Sequence, residues 1–493
     1  MYPYIEGVGR MFDIQLDKNS NTPLYMQVYD YFKNLIENNN IGNTKLPSIR
    51  SLAKKLKVNN VTIVNAYRLL EQEGYVYSIK GSGTYVKIMP DPEYLPYLEE
   101  GDVELMVSGI LPLSKDNINF ASISPTPLLF PIEEFKKSLV EVLDRDGAHA
   151  FLYPEVSGYE PLRESISKFL FMNYDIKIDK NQILITSGGQ QALDIVAKAL
   201  INTGDTIFVE NPTYSGAIAS FNSRGARVRG IPILNDGIDL DLLDHYVKRE
   251  KPKFLYIMTN YQSPTTYSYS KAKKKELLKM ASKYDFYIIE DDFLTDLNYD
   301  NEKRYPLKSM DTENRVIFIK SFSKIFMPGI RIGFLTLSKN LYGDIIKAKH
   351  TTDISSSGFL QRAFDHYLRT GYWKNYIERV RSDYARKYRL MVSELEKFKK
   401  FFISYVPPNG GISIWLNLPA GIDALDLYEE CQKNNLSIVP GIVFFIDETI
   451  NMNYIRLSFG AIHDDEIVKG MKTLYEIISK MFVNLQSDYM PFI

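Results

Sequence analysis

Apolar residues recur at helical spacing near the start of the chain. Behind Pro23, positions three and four residues apart predict an amphipathic helix, through Leu24, Val28, Phe32, Leu35 and Ile36. A second helix is expected behind the capping residue Ser48, and a third extends to Gly74, with a short turn between them. Two β-branched and aromatic runs, YVYSIK and TYVKI, then predict a hairpin around Gly81-Ser82-Gly83.

Two helices joined by a tight turn present the second helix to a DNA major groove. The formal net charge of the whole chain is only -1 and says nothing for or against nucleic acid. Between Lys45 and Lys87, however, eight basic residues stand against two acidic ones. Such an excess is also typical of an ordinary solvated surface, so it favours DNA binding only together with the helical motif.

The stretch from Pro23 to Val86 resembles the winged helix-turn-helix of GntR-type regulators, through LPSIRSLA, VTIVNAYRLLEQEGYV and GSGTYV. In that family the arginine of the first segment, the start of the third helix and the glycine-rich wing touch DNA. The resemblance implies DNA contacts by Arg50, Asn59, Asn60, Thr62, Lys80 and Gly81. Many relatives have arginine where this chain has Asn60, an amide that suits adenine edges better than guanine.

Prolines at 90, 92, 96 and 112 interrupt the pattern after the predicted hairpin and indicate a semi-extended linker. A chain of 493 residues is also too long for one compact core. We therefore expect a DNA-binding domain over 12–88, a linker over 89–115 and a large domain over 116–493.

The large domain contains three segments whose chemistry fits one another. NQILITSGGQQALDIVAKAL predicts a strand, a Ser-Gly-Gly turn and a helix whose first backbone N–H groups favour a phosphate. YDFYIIEDDF places Asp291 at the carboxyl edge of a sheet, and RVIFIKSFSK leads into a turn that carries Lys324. Taken separately, these segments are more typical of an ordinary turn, a capping acid and a surface lysine. Together they favour a cofactor site, because a desolvated lysine attacks aldehydes and an acid can keep a pyridine nitrogen protonated.

From about Asn119 onward the chain resembles fold-type I pyridoxal-phosphate enzymes, in particular the aminotransferase-like domain of the MocR branch of GntR regulators. The motifs occur in order: YPEVSGYEPLR, TSGGQQAL, ENPTY, NYQSPT, IEDDF, SFSKIFMPGIRIGF, PNGGISIWL and YIRLSFG. The resemblance implies an α/β fold with a mostly parallel central sheet, a smaller C-terminal lobe and pyridoxal phosphate as cofactor.

Residue roles follow from the same resemblance. Lys324 corresponds to the lysine that bonds covalently to the cofactor's aldehyde, Asp291 to the acid at the ring nitrogen, and Tyr214 to the ring-stacking tyrosine. Arg456 stands where relatives bind a substrate carboxylate, and Tyr153 where a tyrosine reaches the neighbouring subunit's cofactor, which implies a homodimer. The phosphate-binding positions are Ser187, Gly188, Gly189, Ser321, Ser323 and Arg331.

Two positions depart from the family pattern. Phe293 stands where MocR relatives have a tyrosine bonded to the cofactor's ring oxygen, and Ser263 replaces the asparagine that aminotransferases place before the proline of that loop. Phe293 cannot donate such a bond and speaks against turnover, whereas Ser263 favours a regulator that senses pyridoxal phosphate or an amino compound. An active aminotransferase with an accessory DNA-binding module, and a DNA-binding protein with an inactive pocket, remain alternatives.

Composition limits the remaining classes. The only cysteine, Cys431, excludes a disulfide framework and fits a reducing compartment. No signal-peptide pattern or membrane-length apolar run occurs, so we expect a cytoplasmic protein without a membrane partner. The five histidines are scattered, and no metal site is expected. The expected partners are operator DNA, a small effector and a second copy of the chain.

Overall fold

The computed structural model describes residues 14, 16–17, 20, 22–39, 45–72, 75–79, 83–86, 117–300, 302–446 and 453–489. The chain divides into two compact units, residues 1–103 and 104–493. The predicted linker, 89–115, lies outside the described residues, and the predicted domain limits stay predictions.

The first unit is a three-helix module followed by a hairpin. Its elements are α1 (Leu24–Asn39), α2 (Ile49–Leu56), α3 (Asn60–Gln72), β1 (Val76–Ile79) and β2 (Gly83–Val86). The Ser48 hydroxyl accepts from the Ser51 N–H at 3.2 Å and caps α2, and Lys57, at φ 51°, ends it. The two strands pair antiparallel, from Val76 opposite Val86 to Ile79 opposite Gly83. The expected winged helix-turn-helix is confirmed.

Apolar side chains from all parts of this module form its core. Val28, Phe32, Leu52, Ile63 and Leu70 are each at most 1% exposed. These are the inward positions of the predicted helical pattern, so the periodicity of the sequence places the core correctly.

The second unit is built around an eight-stranded sheet. Its strands, in spatial order, are β4 (Ile183–Thr186), β11 (Gly333–Thr336), β10 (Val316–Ser321), β9 (Tyr287–Asp292), β8 (Phe254–Ile257), β5 (Thr206–Asn211), β6 (Arg227–Leu234) and β7 (Gly237–Ile238). Strands β10, β9, β8, β5 and β6 are parallel, whereas β11 runs antiparallel to both of its neighbours. All four residues of β4, β8 and β11 are buried, as expected for a sheet covered on both faces.

Helices connect and cover these strands. They span Ile132–Asp146, Glu160–Tyr174, Gly189–Leu200, Ser215–Asn222, Leu240–Glu250, Lys271–Tyr284, Tyr342–Asp353, Gly358–Arg369, Tyr372–Leu395, Ala424–Lys433 and Asp464–Tyr489. A smaller antiparallel sheet is formed by β12 (Ser413–Asn417), β15 (Tyr454–Ser458) and β14 (Val439–Pro440), and β13 (Leu436–Ser437) pairs with β3 (Ile118–Asn119). The mostly parallel sheet and smaller C-terminal part confirm the expected α/β architecture.

Alternation along the central strands sends neighbouring residues to opposite faces of the sheet. Tyr256, Ile289 and Ile319 pack in one apolar cluster, whereas Phe318 belongs to another. Acidic residues at the end of β9 are therefore divided between the two faces. Among the described helices, none is long and apolar enough to cross a membrane.

Candidate cofactor site and DNA interface

A cavity of about 200 Å³ lies beyond the carboxyl ends of β9 and β10. In a mostly parallel sheet this is the edge where ligands bind. Many of the predicted cofactor residues meet here. The lining residues are Ile123, Gly189, Gln190, Leu193, Tyr214, Met258, Ser263, Asp291, Phe293, Ser321, Ser323, Lys324 and Arg331.

Lys324 lies in the turn that follows β10 and is half-buried at the cavity wall. Burial lowers its pKa to about 8, and the nearby guanidinium groups of Arg456 and Arg331 add to this effect. A lowered pKa leaves more of the amine neutral near pH 7, the form that attacks a carbonyl carbon. An amine in this state can bond covalently to an aldehyde.

Asp291 is buried in β9 at the cavity wall, and burial raises its pKa to about 7. The hydroxyl of Tyr256 donates to its Oδ2 at 2.8 Å, which holds the carboxyl group in place. Sequence reasoning missed Tyr256. The available signal was its position in the apolar run of β8, with a polar hydroxyl that needs a buried partner.

The turn between β4 and the helix Gly189–Leu200 forms a tight cradle against Arg331. Gly188 has φ +89°, and a Cβ at this position would lie 3.0 Å from Arg331 Nη2. Arg331 donates to the Ser187 carbonyl oxygen at 2.6 Å and to the Ser323 hydroxyl at 3.3 Å. Backbone N–H groups of the helix start and a guanidinium fork face the same space, a combination that suits a phosphate.

The ring of Tyr214 forms another wall of the cavity. Its hydroxyl donates to Gln190 Oε1 at 3.0 Å, and a Cβ at Gly216 would lie only 2.5 Å from the tyrosine Cζ. Gln190 and Gly216 therefore fix the ring position, and neither was singled out from the sequence. This orientation fits a planar ligand next to Tyr214.

Arg456 is a buried cation on β15, 7% exposed, and no ion pair is formed by it within the described residues. Its Nη2 donates to the Ala121 carbonyl oxygen at 2.8 Å, while its buried Nε has no hydrogen-bond partner in the part of the chain that the structure describes. Burial lowers its pKa to about 10. A buried guanidinium with an unused donor is costly without an anion, so the site fits a ligand carboxylate.

Not all predicted residues line the cavity. Ser187 and Gly188 contact Arg331 at the edge of the cavity. The charge of Arg456 acts on Lys324. Tyr153 is 84% exposed and lies elsewhere on the surface. The two departures from the family pattern, Phe293 and Ser263, are both lining residues.

A buried ion cluster lies beneath the cavity and was not anticipated. Lys320, fully buried on β10, contacts Asp292 Oδ2 at 3.0 Å and Asp296 Oδ2 at 2.8 Å. Burial opposes its charge, but the two carboxylates raise its pKa. Lys320 thus gives a charged partner to Asp292, the residue that follows Asp291 on β9.

The first unit presents most of the predicted DNA-contacting residues at its surface. Arg50, Asn59 and Asn60 are exposed, whereas Thr62 is half-buried. The Asn59 side chain accepts from the Val61 N–H at 3.0 Å, so it also caps α3. Lys80 and Gly81 lie outside the described residues.

Comparison with known proteins gives matches for both units. Residues 116–471 match the family "Aminotransferase class I and II", and residues 24–86 match "Bacterial regulatory proteins, gntR family". Aromatic-amino-acid aminotransferase 1 of Thermococcus litoralis is 33% identical, over 79% of this chain and 96% of its own. The HTH-type transcriptional regulator YdfD of Bacillus subtilis is 29% identical over 94% of this chain and 98% of its own.

Solved structures give the same result for the larger unit. Kynurenine aminotransferase from Pyrococcus horikoshii, solved with PMP, matches with a TM-score of 0.72 and 32% identity, covering 77% of this chain and 94% of that one. LysN, an α-aminoadipate aminotransferase from Thermus thermophilus solved with a phosphopyridoxyl-leucine compound, has a TM-score of 0.71 and 30% identity, covering 78% and 97%.

The cradle at Gly188, the lysine with its lowered pKa and the buried acid fit the phosphate, aldehyde and ring nitrogen of one cofactor. The chain therefore belongs to the aminotransferase class I and II family, has pyridoxal phosphate as its cofactor, and carries a GntR-type DNA-binding domain, the arrangement of a MocR-type transcription regulator.

Proposed function

We propose that this regulator binds pyridoxal phosphate covalently at Lys324 and changes its operator binding in response to the cofactor or an amino compound. The observation that carries the proposal is the meeting of Lys324, Asp291 and Arg331 at one cavity of a chain that also has a DNA-binding domain. Bound pyridoxal phosphate would supply an aldehyde and an electron-withdrawing ring.

Each residue has a distinct task in this proposal. Arg331 and the start of the helix Gly189–Leu200 bind the phosphate, Asp291 holds a proton at the ring nitrogen, and Tyr214 orients the ring. An amino compound that takes the aldehyde from Lys324 would return the free amine to the lysine, and its carboxylate would meet Arg456. The two liganded states differ in these contacts, and only such a difference can shift operator affinity.

Covalent capture of pyridoxal phosphate should depend on pH. Only the neutral amine of Lys324 reacts, and its pKa is lowered to about 8. The capture rate of cofactor-free protein should therefore rise with pH, reach half of its maximum near pH 8, the midpoint, and level off above it. Arg456→Met removes a cation that lowers this pKa, and we expect the midpoint to move upward. Stopped-flow absorbance measures the rate. Arg389→Met is the surface control and should leave the midpoint unchanged. A midpoint of Arg456→Met equal to that of wild type would contradict the assignment of Arg456 as a cation that lowers the pKa of Lys324.

Operator binding is expected to depend on the ligand through Lys324. The operator affinity of wild-type protein with its cofactor is measured with a panel of amino acids and over a range of pyridoxal phosphate concentrations. At least one of these conditions should change the affinity by at least fivefold, a typical allosteric coupling. Lys324→Ala should remove that response. Arg50→Ala should weaken operator binding at every ligand concentration and leave cofactor absorbance unchanged, since it acts only through DNA. Identical binding of wild type and Lys324→Ala across the whole panel would refute sensing.

An active aminotransferase is the second candidate. Arg456, buried and without a carboxylate partner among the described residues, supports it, and so does the 33% identity with an aromatic aminotransferase. In this case Lys324 would also move a proton between substrate carbon and cofactor carbon as general base and acid. Many turnovers with an amino donor and a keto acid would favour this function, whereas a single half-reaction would favour the regulator.

A further inference from the structure

Two valines on α3 are exposed to solvent although the rest of the exposed face of this helix is polar. Val61 is 59% exposed and Val64 is 41% exposed. A single exposed apolar residue is common on protein surfaces, but β-branched residues on an exposed helix face gain nothing from burial and are poorer helix formers than alanine. Two of them next to each other therefore suggest that this face has an apolar partner.

Helix geometry puts these valines within one stripe. At roughly 100° per residue, the exposed positions of α3 fall within an arc of about 140°. Both valines lie between the two amide side chains of this arc, Asn60 and Asn65. The stripe comprises Asn60, Val61, Val64, Asn65, Arg68 and, near the end of the helix, Glu71. The buried residues Ile63, Ala66, Tyr67 and Leu70 occupy the opposite side.

The stripe has the chemistry of one kind of base pair. In the major groove an A·T pair presents the N7 acceptor and N6 donor of adenine together with the C5 methyl of thymine. An asparagine amide can bond to both adenine atoms, and a valine side chain can contact the methyl group. A G·C pair offers no methyl group, and an asparagine matches guanine poorly.

Surrounding charge favours DNA as the occupant over an apolar protein surface. Arg50 and Lys54 are exposed on α2, beside the start of α3, and Arg68 is two turns along the stripe. Cations at these places would contact phosphates, while residues at the start of a recognition helix reach the base edges. An apolar protein partner would gain little from a patch of two valines enclosed by amide and charged side chains.

We propose that Val61 and Val64 contact thymine methyl groups in the major groove and so direct this protein to A·T pairs at the centre of each half-site. The inference rests on the proposed function as a DNA-binding regulator. Asn60 and Asn65 bond to adenine edges on either side of the valines, so the half-site is read mainly through A·T pairs.

The experiment starts from the full chain with its cofactor and a pool of random DNA duplexes. Bound duplexes are selected and sequenced, and we expect adjacent A·T pairs at fixed positions in each half-site. The selected duplex is then made with deoxyuridine in place of single thymidines, which removes only the methyl group. Wild type should lose affinity about fourfold at each contacted position, since one buried methyl contributes about that factor.

Variants assign the loss to the valines. In Val61→Ala or Val64→Ala, both compatible with a helix, the same deoxyuridine should change affinity less than 1.5-fold at the position which that valine contacts. Val468→Ala is the matched control, because Val468 is also 41% exposed but lies on the helix Asp464–Tyr489 of the other unit. It should retain the full fourfold effect.

The possible failures are distinguishable. If no duplex is enriched, DNA binding itself fails and the inference fails with it. If duplexes are enriched but their shared positions are G·C, or if deoxyuridine affects wild type and both valine variants equally, DNA binding stands and thymine recognition by Val61 and Val64 is overturned.

Discussion

Replacing Lys324 with alanine is expected to abolish covalent retention of pyridoxal phosphate. The lysine amine lies at the wall of the cavity, and burial lowers its pKa to about 8, so its removal takes away the prepared nucleophile. The phosphate contacts that we propose for Arg331 and the helix start would remain, so we expect weak, reversible binding of the cofactor, with its affinity reduced at least about 100-fold. Borohydride reduction followed by mass spectrometry should find the cofactor on residue 324 of wild type and no adduct on the variant.

The control for this experiment is Lys347→Ala, which removes a lysine that is 81% exposed on the helix Tyr342–Asp353. Its adduct and visible absorbance should equal those of wild type. Asp291→Asn gives an independent test, because the adduct should form while the spectrum shifts with the loss of the acid that we propose at the ring nitrogen. An adduct on any other lysine in wild type would disprove the assignment of Lys324.

Replacing Lys320 with methionine should lower the free energy of unfolding by roughly 3–5 kcal/mol, the usual cost of removing one partner from a buried ion pair. Methionine fills nearly the same volume, but Asp292 and Asp296 would then be buried without their cation. Denaturant unfolding followed by tryptophan fluorescence measures the effect. Both tryptophans of the chain, Trp373 and Trp415, lie in the larger unit, so the signal reports on that unit.

A neutral replacement of the whole cluster separates charge from packing. The triple variant Lys320→Met, Asp292→Asn, Asp296→Asn leaves no unpaired charge and should recover most of the lost stability. The surface substitution Lys347→Met should change stability by less than about 0.5 kcal/mol. If Lys320→Met costs no more than that surface control, the ion cluster does not stabilise this sheet.

Sequence reasoning worked where a residue's neighbours along the chain determine its environment. The strands that end at Asp292 and Ser321, the turn before Gly189 and the cap at Ser48 all follow from local patterns of apolar residues and glycines. Their assembly at one edge of the sheet was expected from the position of Asp291 at the carboxyl end of a strand and from the family motifs.

The parts that were missed depend on contacts between distant segments. Tyr256 meets Asp291 across 35 residues, and Lys320 meets Asp292 across 28. A tyrosine inside an apolar run and a lysine inside a buried strand each require a partner, but the sequence does not say which residue supplies it. The exposure of Val61 was also missed, because valine usually predicts a buried helix face.

The two acids of β9 constrain each other through strand geometry. Asp291 and Asp292 are adjacent, so they point to opposite faces, and Lys320 lies directly opposite Asp292 on β10. Sliding β9 by one residue would reverse every side chain of the strand and carry Asp292 away from Lys320, which would lose one of its two carboxylate partners. The ion cluster of Lys320, Asp292 and Asp296 therefore favours the observed register of β9. The direction in which Asp291 faces the cavity thus depends on residues that do not line the cavity themselves.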